Sequence, residues 1–286
     1  MMVLVTGATG TIGSELVKQL LASEVNIRAL TRDRDRAGFV SDRDVEVVEG
    51  DFREPSTLDA ALNNAETAFL LSPVVEGMVQ LQGNFIEAAQ RAGIQHLVNL
   101  SAAGADPDSP GLIARWHGEI EKHVEDSGLR CTHLRPVSYM QNLLEQADSI
   151  RVDGVVAQAI PQDAPINMID TRDIAVVAAT VLTENGHEGK KYKLTGPEVL
   201  TYAQIVETLS EVTGTEITYR ELSPEAAKQR LLDQGRPEWL ADAQTELDIA
   251  FGKGIGDIMT DSVVDITGNS PRTFEEFATN HAKHFT

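Results

Sequence analysis

An α/β fold built on a parallel sheet covered by helices on both faces is predicted by three features of the sequence. Short β-branched runs alternate with helical patterns from the first residues onward. The first strand runs directly into a glycine-rich turn that opens a helix, and the apolar residues of the helical segments fall on single faces. Strand, helix and strand in strict succession call for right-handed crossovers and therefore for a parallel, doubly wound sheet.

The element order follows from local pattern. Strands are expected at Met2 to Thr6, Asn26 to Thr31, Val45 to Glu49, Thr67 to Leu71, His96 to Leu100 and Arg130 to Leu134. A helix over Thr11 to Ala22 places Ile12, Leu16, Val17, Leu20 and Leu21 together, and another repeats the pattern with Met78, Leu81, Phe85, Ala88 and Ala92. A third runs from about Leu112 to Ser127 and stops at Gly128. Past Pro136 the alternation loosens. Gly154 to Ala159 and Lys191 to Leu194 read as strands, Thr171 to Thr183 and Tyr202 to Thr213 as helices, and the remainder is mainly helical.

Composition narrows the partners. A chain of 286 residues with 42% hydrophobic and 24% charged residues is globular. Its 24 basic and 44 acidic residues give a formal charge of −20, which repels nucleic acid and anionic lipid alike. An anionic ligand therefore needs a local basic pocket, and a small-molecule substrate is expected rather than nucleic acid or membrane. The single cysteine, Cys131, lies in an apolar strand and cannot form an internal disulfide, which fits a reducing, cytoplasmic compartment. Met1 to Gly7 enters a strand and turn at once and reads as structure rather than address. The longest clean apolar run, Ile174 to Leu182, is far too short to span a bilayer. Oligomeric state is not legible.

The segment Thr6-Gly7-Ala8-Thr9-Gly10-Thr11-Ile12-Gly13 follows the first strand and opens the first helix, the context that a dinucleotide fingerprint requires. Gly7 suits the tight turn, Gly10 the approach of backbone to pyrophosphate, and Gly13 the close packing of helix on strand. Gly7, Thr9, Gly10, Thr11, Ile12 and Gly13 are thus the expected cradle, with free amides at the helix N-terminus. This defines a Rossmann-type domain over 1–136, to which 166–194 is expected to return, and a smaller, mainly helical substrate-binding lobe over 137–286. The second strand ends in Ala29-Leu30-Thr31-Arg32, where an acid would favour a free 2′-hydroxyl and an arginine accommodates a 2′-phosphate. Arg32, with Arg34 and Arg36 close behind, favours NADPH over NADH. The alternative is a solvated turn in which Asp33 and Asp35 neutralise the arginines. The ends of the fourth and fifth strands offer Ser72, Pro73 and Ser101 as wall residues at the sheet's carboxyl edge, or as plain turn formers.

The glycine spacing, G-x-x-G-x-x-G, resembles the short-chain dehydrogenase/reductase superfamily. That resemblance implies that Asp51, at the end of the third strand, faces the adenine amine with Phe52 beside the ring, a role compatible with capping the next turn. Most of that superfamily uses Tyr-x-x-x-Lys, in which the lysine lowers the pKa of the tyrosine for proton exchange. Four residues beyond Tyr139, Tyr192, Tyr202 and Tyr219 stand Leu143, Gly196, Val206 and Ser223, so the dyad is absent.

In its place the chain reads Ala114-Arg115-Trp116-His117-Gly118-Glu119-Ile120-Glu121-Lys122 and then Leu134-Arg135-Pro136-Val137-Ser138-Tyr139-Met140-Gln141-Asn142. With the glycine turn and the later runs Asp170 to Ala175, Glu184 to Lys190 and Thr201 to Gln204, it resembles the NmrA-like atypical short-chain dehydrogenases over nearly its whole length. Within them it is most similar to NADPH-dependent quinone oxidoreductases and triphenylmethane reductases. The resemblance implies hydride transfer from NADPH to a flat, conjugated acceptor, which needs no strong protein acid and leans on proximity and orientation. It also makes His117 the catalytic candidate, oriented or raised in pKa by Glu121 one turn on, with Tyr139 and Asn142 facing nicotinamide or acceptor, and Pro136 and Val137 as backbone contacts. A His117 that only positions cofactor or caps the helix, and a Tyr139 in the core, are the plainer readings. The same group includes NADP(H)-binding redox sensors that control a partner without turnover, and this is the alternative function. Trp239 is either a wall of the acceptor cleft or core. The seven histidines and one cysteine show no metal spacing, and neither a Gly-x-Ser-x-Gly elbow nor a Walker loop occurs, so no metal is expected.

Overall fold

The computed structural model describes residues 1–37 and 44–286, the side chain of Arg36 excepted. In chain order the strands and helices are β1 (Met2–Val5), α1 (Thr11–Leu21), β2 (Asn26–Thr31), β3 (Val45–Glu49), α2 (Pro55–Leu62), β4 (Thr67–Leu70), α3 (Met78–Ala92), β5 (His96–Leu100), α4 (Leu112–Asp126) and β6 (Cys131–Pro136). Next come β7 (Ser138–Tyr139), α5 (Ala147–Asp153), β8 (Val155–Gln158), β9 (Ile166–Ile169), α6 (Thr171–Thr183), β10 (Lys191–Leu194) and β11 (Val199–Leu200). The chain ends with α7 (Tyr202–Thr213), β12 (Thr218–Glu221), α8 (Pro224–Asp233), α9 (Glu238–Ala250), α10 (Ser262–Thr267) and α11 (Phe274–Phe285).

Two compact units emerge. The first comprises Met1–Pro136, Thr171–Leu194 and Ser262–Gly268. Among its described residues is a seven-stranded sheet in the order β10-β6-β5-β4-β1-β2-β3, with every pair parallel. Successive strand residues point to opposite faces. Leu4, Leu30, Leu70 and Leu97 meet Leu58, Phe85, Ile86 and Ile120 of α2, α3 and α4. On the other face α1 packs against α6, and α10 joins α6. The chain runs outward from β1 to β2 and β3, then restarts at β4 on the other side of β1. That reversal makes the carboxyl ends of β1 and β4 the place where such a sheet binds ligand.

The second unit comprises Val137–Asp170, Thr195–Asp261 and Asn269–Thr286. It contains a three-stranded sheet, β11-β9-β7, and the parallel pair β12-β8. Its core gathers Met140, Leu143, Ile150, Ile166, Ile205, Leu209, Phe274 and Phe277, with α7 and α11 packed together. Ile166–Ile169, the start of the stretch expected to return to the sheet domain, pairs here with Ser138–Tyr139 and Val199–Leu200. The physical reason is tertiary: both partner strands are distant in the chain, so a four-residue strand carries no local signal of which sheet it joins. Among the described residues no helix is long and apolar enough to cross a membrane.

Candidate dinucleotide site and the buried acid of the sheet edge

Register lines up the edge. Val5 pairs with Ala29 on one side and Phe69 on the other, Thr31 pairs with Glu49, Leu70 with Asn99, and Leu100 with Leu134. The residues that follow these strands therefore share one edge: Gly7, Arg32 and Asp51 to one side, Ser72, Ser101 and Pro136 to the other.

Backbone sterics decide the glycine turn. Gly7 sits at φ +62°, and a Cβ there would lie 2.9 Å from Leu71 Cγ. The Gly10 amide donates to the Gly7 carbonyl at 2.9 Å, closing the turn. A Cβ on Gly13 would lie 2.2 Å from that same carbonyl oxygen and 2.8 Å from Ala8 Cα, so α1 can approach the turn only with glycine at this position. Thr6 locks the turn across the reversal: the Leu71 amide donates to its hydroxyl at 2.8 Å, and that hydroxyl lies 2.9 Å from the Phe69 carbonyl. The N-cap of α1, Gly10, brings no side-chain acceptor, and the first turn has no acidic residue. The leading amides of a helix have no intrahelical acceptor, so this end is built for an anion. A cradle that a Cβ would fill, at an uncapped positive helix end, fits a dinucleotide pyrophosphate.

Arg32 is exposed and makes no hydrogen bond or ion pair with a described residue. Arg34 is committed elsewhere, since its Nη2 donates to the Val47 carbonyl. Asp33 accepts from the Asp35 amide at 3.0 Å, and no ion pair joins it to Arg32 among the described residues. The side chain of Arg36 lies outside the described residues. Asp51 accepts from the Arg53 amide at 2.9 Å and so caps its turn, leaving its second oxygen 3.9 Å from Arg53 Nη1. Phe52 is half-buried beside Phe85, ring centroids 5.1 Å apart. Ser72 accepts from Gln82 Nε2 at 2.9 Å, while Gln82 Oε1 is buried without a hydrogen-bond partner among the described residues, and Pro73 is exposed.

The other end of the edge is organised by Glu121, which the sequence assigned to His117. Its carboxylate is instead bound by Ser101 Oγ at 2.6 Å, by both Nε and Nη2 of Arg135, and by Lys191 Nζ at 3.1 Å. Burial pushes its pKa up, but the hydrogen bonds from Arg135 and Ser101, with the nearby positive groups, outweigh burial and hold it at about 2. Thus α4 is tied to the ends of β5, β6 and β10 at once. Ser101 is fully buried and its proton is engaged, so it contributes to this clamp. Glu121, Glu125 and His133 bring ligand atoms together, but the Lys191 ammonium already bridges the two carboxylates, 2.7 Å from Glu125.

His117 lies one turn before Glu121 and is not hydrogen-bonded to it. Its Nδ1 is buried without a partner among the described residues. Burial lowers its pKa to about 4, against a smaller upward pull from the Glu121 charge, so the expected rise gives way to a fall. Sequence reasoning also missed Gly118, where a Cβ would stand 2.2 Å from the backbone of Asp106 and Pro107: glycine lets α4 press onto the loop after β5. The signal was an isolated glycine inside a helix. The Pro136 carbonyl accepts from the Ala103 amide at 2.9 Å, and Val137 opens the second unit. In that unit Tyr139 is half-buried, its phenol pushed up to about 12 by burial. Asn142 is exposed, its Nδ2 3.4 Å from Ser138 Oγ. Trp239 is half-buried.

Comparison with known proteins agrees with this geometry. The chain is 41% identical over 284 residues to the NAD(P)H azoreductase of Xenophilus azovorans, covering 99% of each. It superposes on the NADPH-dependent quinone oxidoreductase QOR2 of Escherichia coli in complex with NADPH with a TM-score of 0.88, at 30% identity over 98% of this chain and 99% of that one. The Citrobacter sp. triphenylmethane reductase complexed with NADP(H) matches with a TM-score of 0.87, at 27% identity over 99% of this chain and 100% of that one. The model of the NmrA-like family matches residues 1–278, which run from the glycine turn through both units, and the chain belongs to that family.

Proposed function

We propose that this protein transfers hydride from NADPH to a quinone or a similarly flat, conjugated small molecule. It is an NAD(P)H-dependent oxidoreductase, as are the relatives named above. NADPH, when bound, supplies the hydride. Gly7, Thr9, Gly10, Thr11, Ile12 and Gly13 hold the pyrophosphate through main-chain amides, Arg32 takes the 2′-phosphate, and Asp51 and Phe52 flank the adenine. Ser72, Pro73, Pro136 and Val137 line the path toward the nicotinamide, and Ser101 supports it through Glu121.

The observation that supports the acceptor class is the absence of the Tyr-x-x-x-Lys dyad, together with candidate donors that stay neutral. His117, with its pKa near 4, is uncharged at neutral pH, and Tyr139, near 12, keeps its proton. Both offer neutral hydrogen bonds and neither is a strong acid. An isolated carbonyl or alkene would need protonation to accept hydride, whereas a conjugated acceptor delocalises the incoming charge and takes its proton from water. His117 is then the candidate in the sheet unit for orienting and polarising the acceptor, and Tyr139 and Asn142 are the candidates that the second unit offers. The names of the relatives, an azoreductase, a quinone oxidoreductase and a triphenylmethane reductase, are consistent with such acceptors.

The test is purified protein with NADPH and a panel of quinones, azo dyes and triphenylmethane dyes, following cofactor oxidation. Turnover with at least one class is expected. Tight NADPH binding with no turnover on any of them would overturn the acceptor reading.

A further inference from the structure

The second unit holds a cavity of about 480 Å³ between β8, β12 and α8. Its lining includes Arg220 and Arg230, the apolar Val155, Ala157 and Leu222, and Asp153 of α5. In a chain of charge −20, two guanidiniums in one cavity would ordinarily each be paired with a carboxylate. Here neither is. Arg220 makes no hydrogen bond or ion pair with a described residue. Arg230 donates from Nη1 to Gln146 Oε1 at 3.0 Å, while its Nε is buried without a partner.

Arg230 is held in place, and Arg220 is set beside it by strand register. Arg220 sits opposite Ala157 in the β12-β8 register. The Ala157 amide donates at 3.0 Å to the same Gln146 Oε1 that receives Arg230. Gln146 thus fixes Arg230 beside the strand that carries Arg220's partner. The nearest acid that acts on Arg230, Asp248, accepts from the Ala159 amide at 3.1 Å and forms no ion pair with it among the described residues. Burial works against the Arg230 charge, and the attraction of Asp248 offsets only part of that cost.

We propose that this cavity binds a phosphate monoester, with the phosphoryl oxygens taken by Arg220 and Arg230. Planar guanidiniums present several N–H donors each and match phosphate oxygens in pairs. Two of them suit a dianion better than a single carboxylate. The apolar wall has room for a small organic group. Asp153, also in the lining, accepts from a hydroxyl or ammonium of the same ligand. The residues are distinct from those of the glycine turn, so the proposal stands independently of the reductase reading.

The test is isothermal titration of the protein saturated with NADP, whose pyrophosphate already fills the glycine turn, with inorganic phosphate and separately with acetate at constant ionic strength. One saturable phosphate site is expected, with acetate at least tenfold weaker. Arg220→Gln should weaken phosphate at least tenfold, and Arg230→Gln likewise. Arg220 is exposed, so its substitution reads binding even if the Arg230 variant does not fold. Absence of saturable phosphate binding, or phosphate affinity unchanged by Arg220→Gln, overturns the site. Equal affinity for acetate overturns the phosphate assignment.

Discussion

Arg32→Ala separates the two pyridine nucleotides. Arg32 projects from the end of β2 into solvent with no partner among the described residues, so its removal disturbs no internal contact. What is lost is its attraction for a 2′-phosphate. At a guanidinium-to-phosphate distance of about 4 Å, unit charges attract by ~1 kcal/mol in bulk water and ~4 kcal/mol at an effective dielectric of about 20. An exposed arginine lies toward the wetter limit, and salt screens it further. About 2 kcal/mol is a fair midpoint and corresponds to roughly 30-fold in affinity. NADH carries no 2′-phosphate, so its affinity should stay within about twofold. Dissociation constants for both nucleotides, from quenching of intrinsic fluorescence at two salt concentrations, give the answer. NADPH affinity should fall by about 30-fold and lose much of its salt dependence. Arg34→Ala is the control: its guanidinium is held by the Val47 carbonyl, so it should affect both nucleotides alike. Equal weakening of NADPH and NADH by Arg32→Ala would refute the reasoning.

Gly13→Ala forces a Cβ to 2.2 Å from the Gly7 carbonyl oxygen, and neither partner can yield without opening the turn; NADPH binding should fall below detection in a dialysis assay while Gly10→Ala, 3.3 Å from the same atom, retains measurable affinity. Glu121→Ala leaves Arg135 without its acid while Lys191 keeps Glu125, and should cost roughly 1–3 kcal/mol, read as a lowered midpoint in urea. His117 has its folded pKa near 4, below the ordinary 6.5, so the unfolded chain binds the proton first. Its contribution to stability is whole above about pH 6.5 and falls by up to about 3 kcal/mol as pH drops to 4. His117→Gln should flatten that part of a denaturation-versus-pH curve, and an unchanged slope would contradict the burial. Tyr139→Phe should lower kcat/KM no more than about tenfold, the scale of one neutral hydrogen bond, with no alkaline inflection near pH 10 in the parent enzyme.

What the sequence disclosed and what it hid divide along a physical line. The strands from Met2 to Leu134 and the helices opening at Thr11, Met78 and Leu112 were legible because period and punctuation are local. The short α2 (Pro55–Leu62) was passed over, since two turns give too few repeats to define a face. The return of Ser262–Gly268 to the sheet unit was also hidden, because only tertiary packing on α6 places it there. At the site, the glycine spacing carried its own steric meaning, whereas Glu121 did not. A carboxylate at i+4 from His117 reads as its partner along one helix, yet Ser101, Arg135 and Lys191 arrive from three different strand ends and claim it. Such convergence has no signature in spacing.

Charge pairing ties these observations together. Several cations are matched to acids: Arg28 to Glu46, Arg91 to Asp59, Arg135 to Glu121, Lys228 to Asp242. Arg32 and Arg220 have no acid partner among the described residues, and neither donates to a main-chain carbonyl as Arg34, Arg115 and Arg130 do. An acid in place of Arg32 would repel a 2′-phosphate, and one in place of Arg220 would repel a phosphate in the cavity. The two tests probe one rule from opposite ends of the chain, because Arg32→Glu and Arg220→Glu should each add repulsion beyond the loss seen with a neutral side chain. If the acidic variants bind their anions no worse than Arg32→Ala and Arg220→Gln, the guanidiniums are unpaired for some reason other than ligand charge.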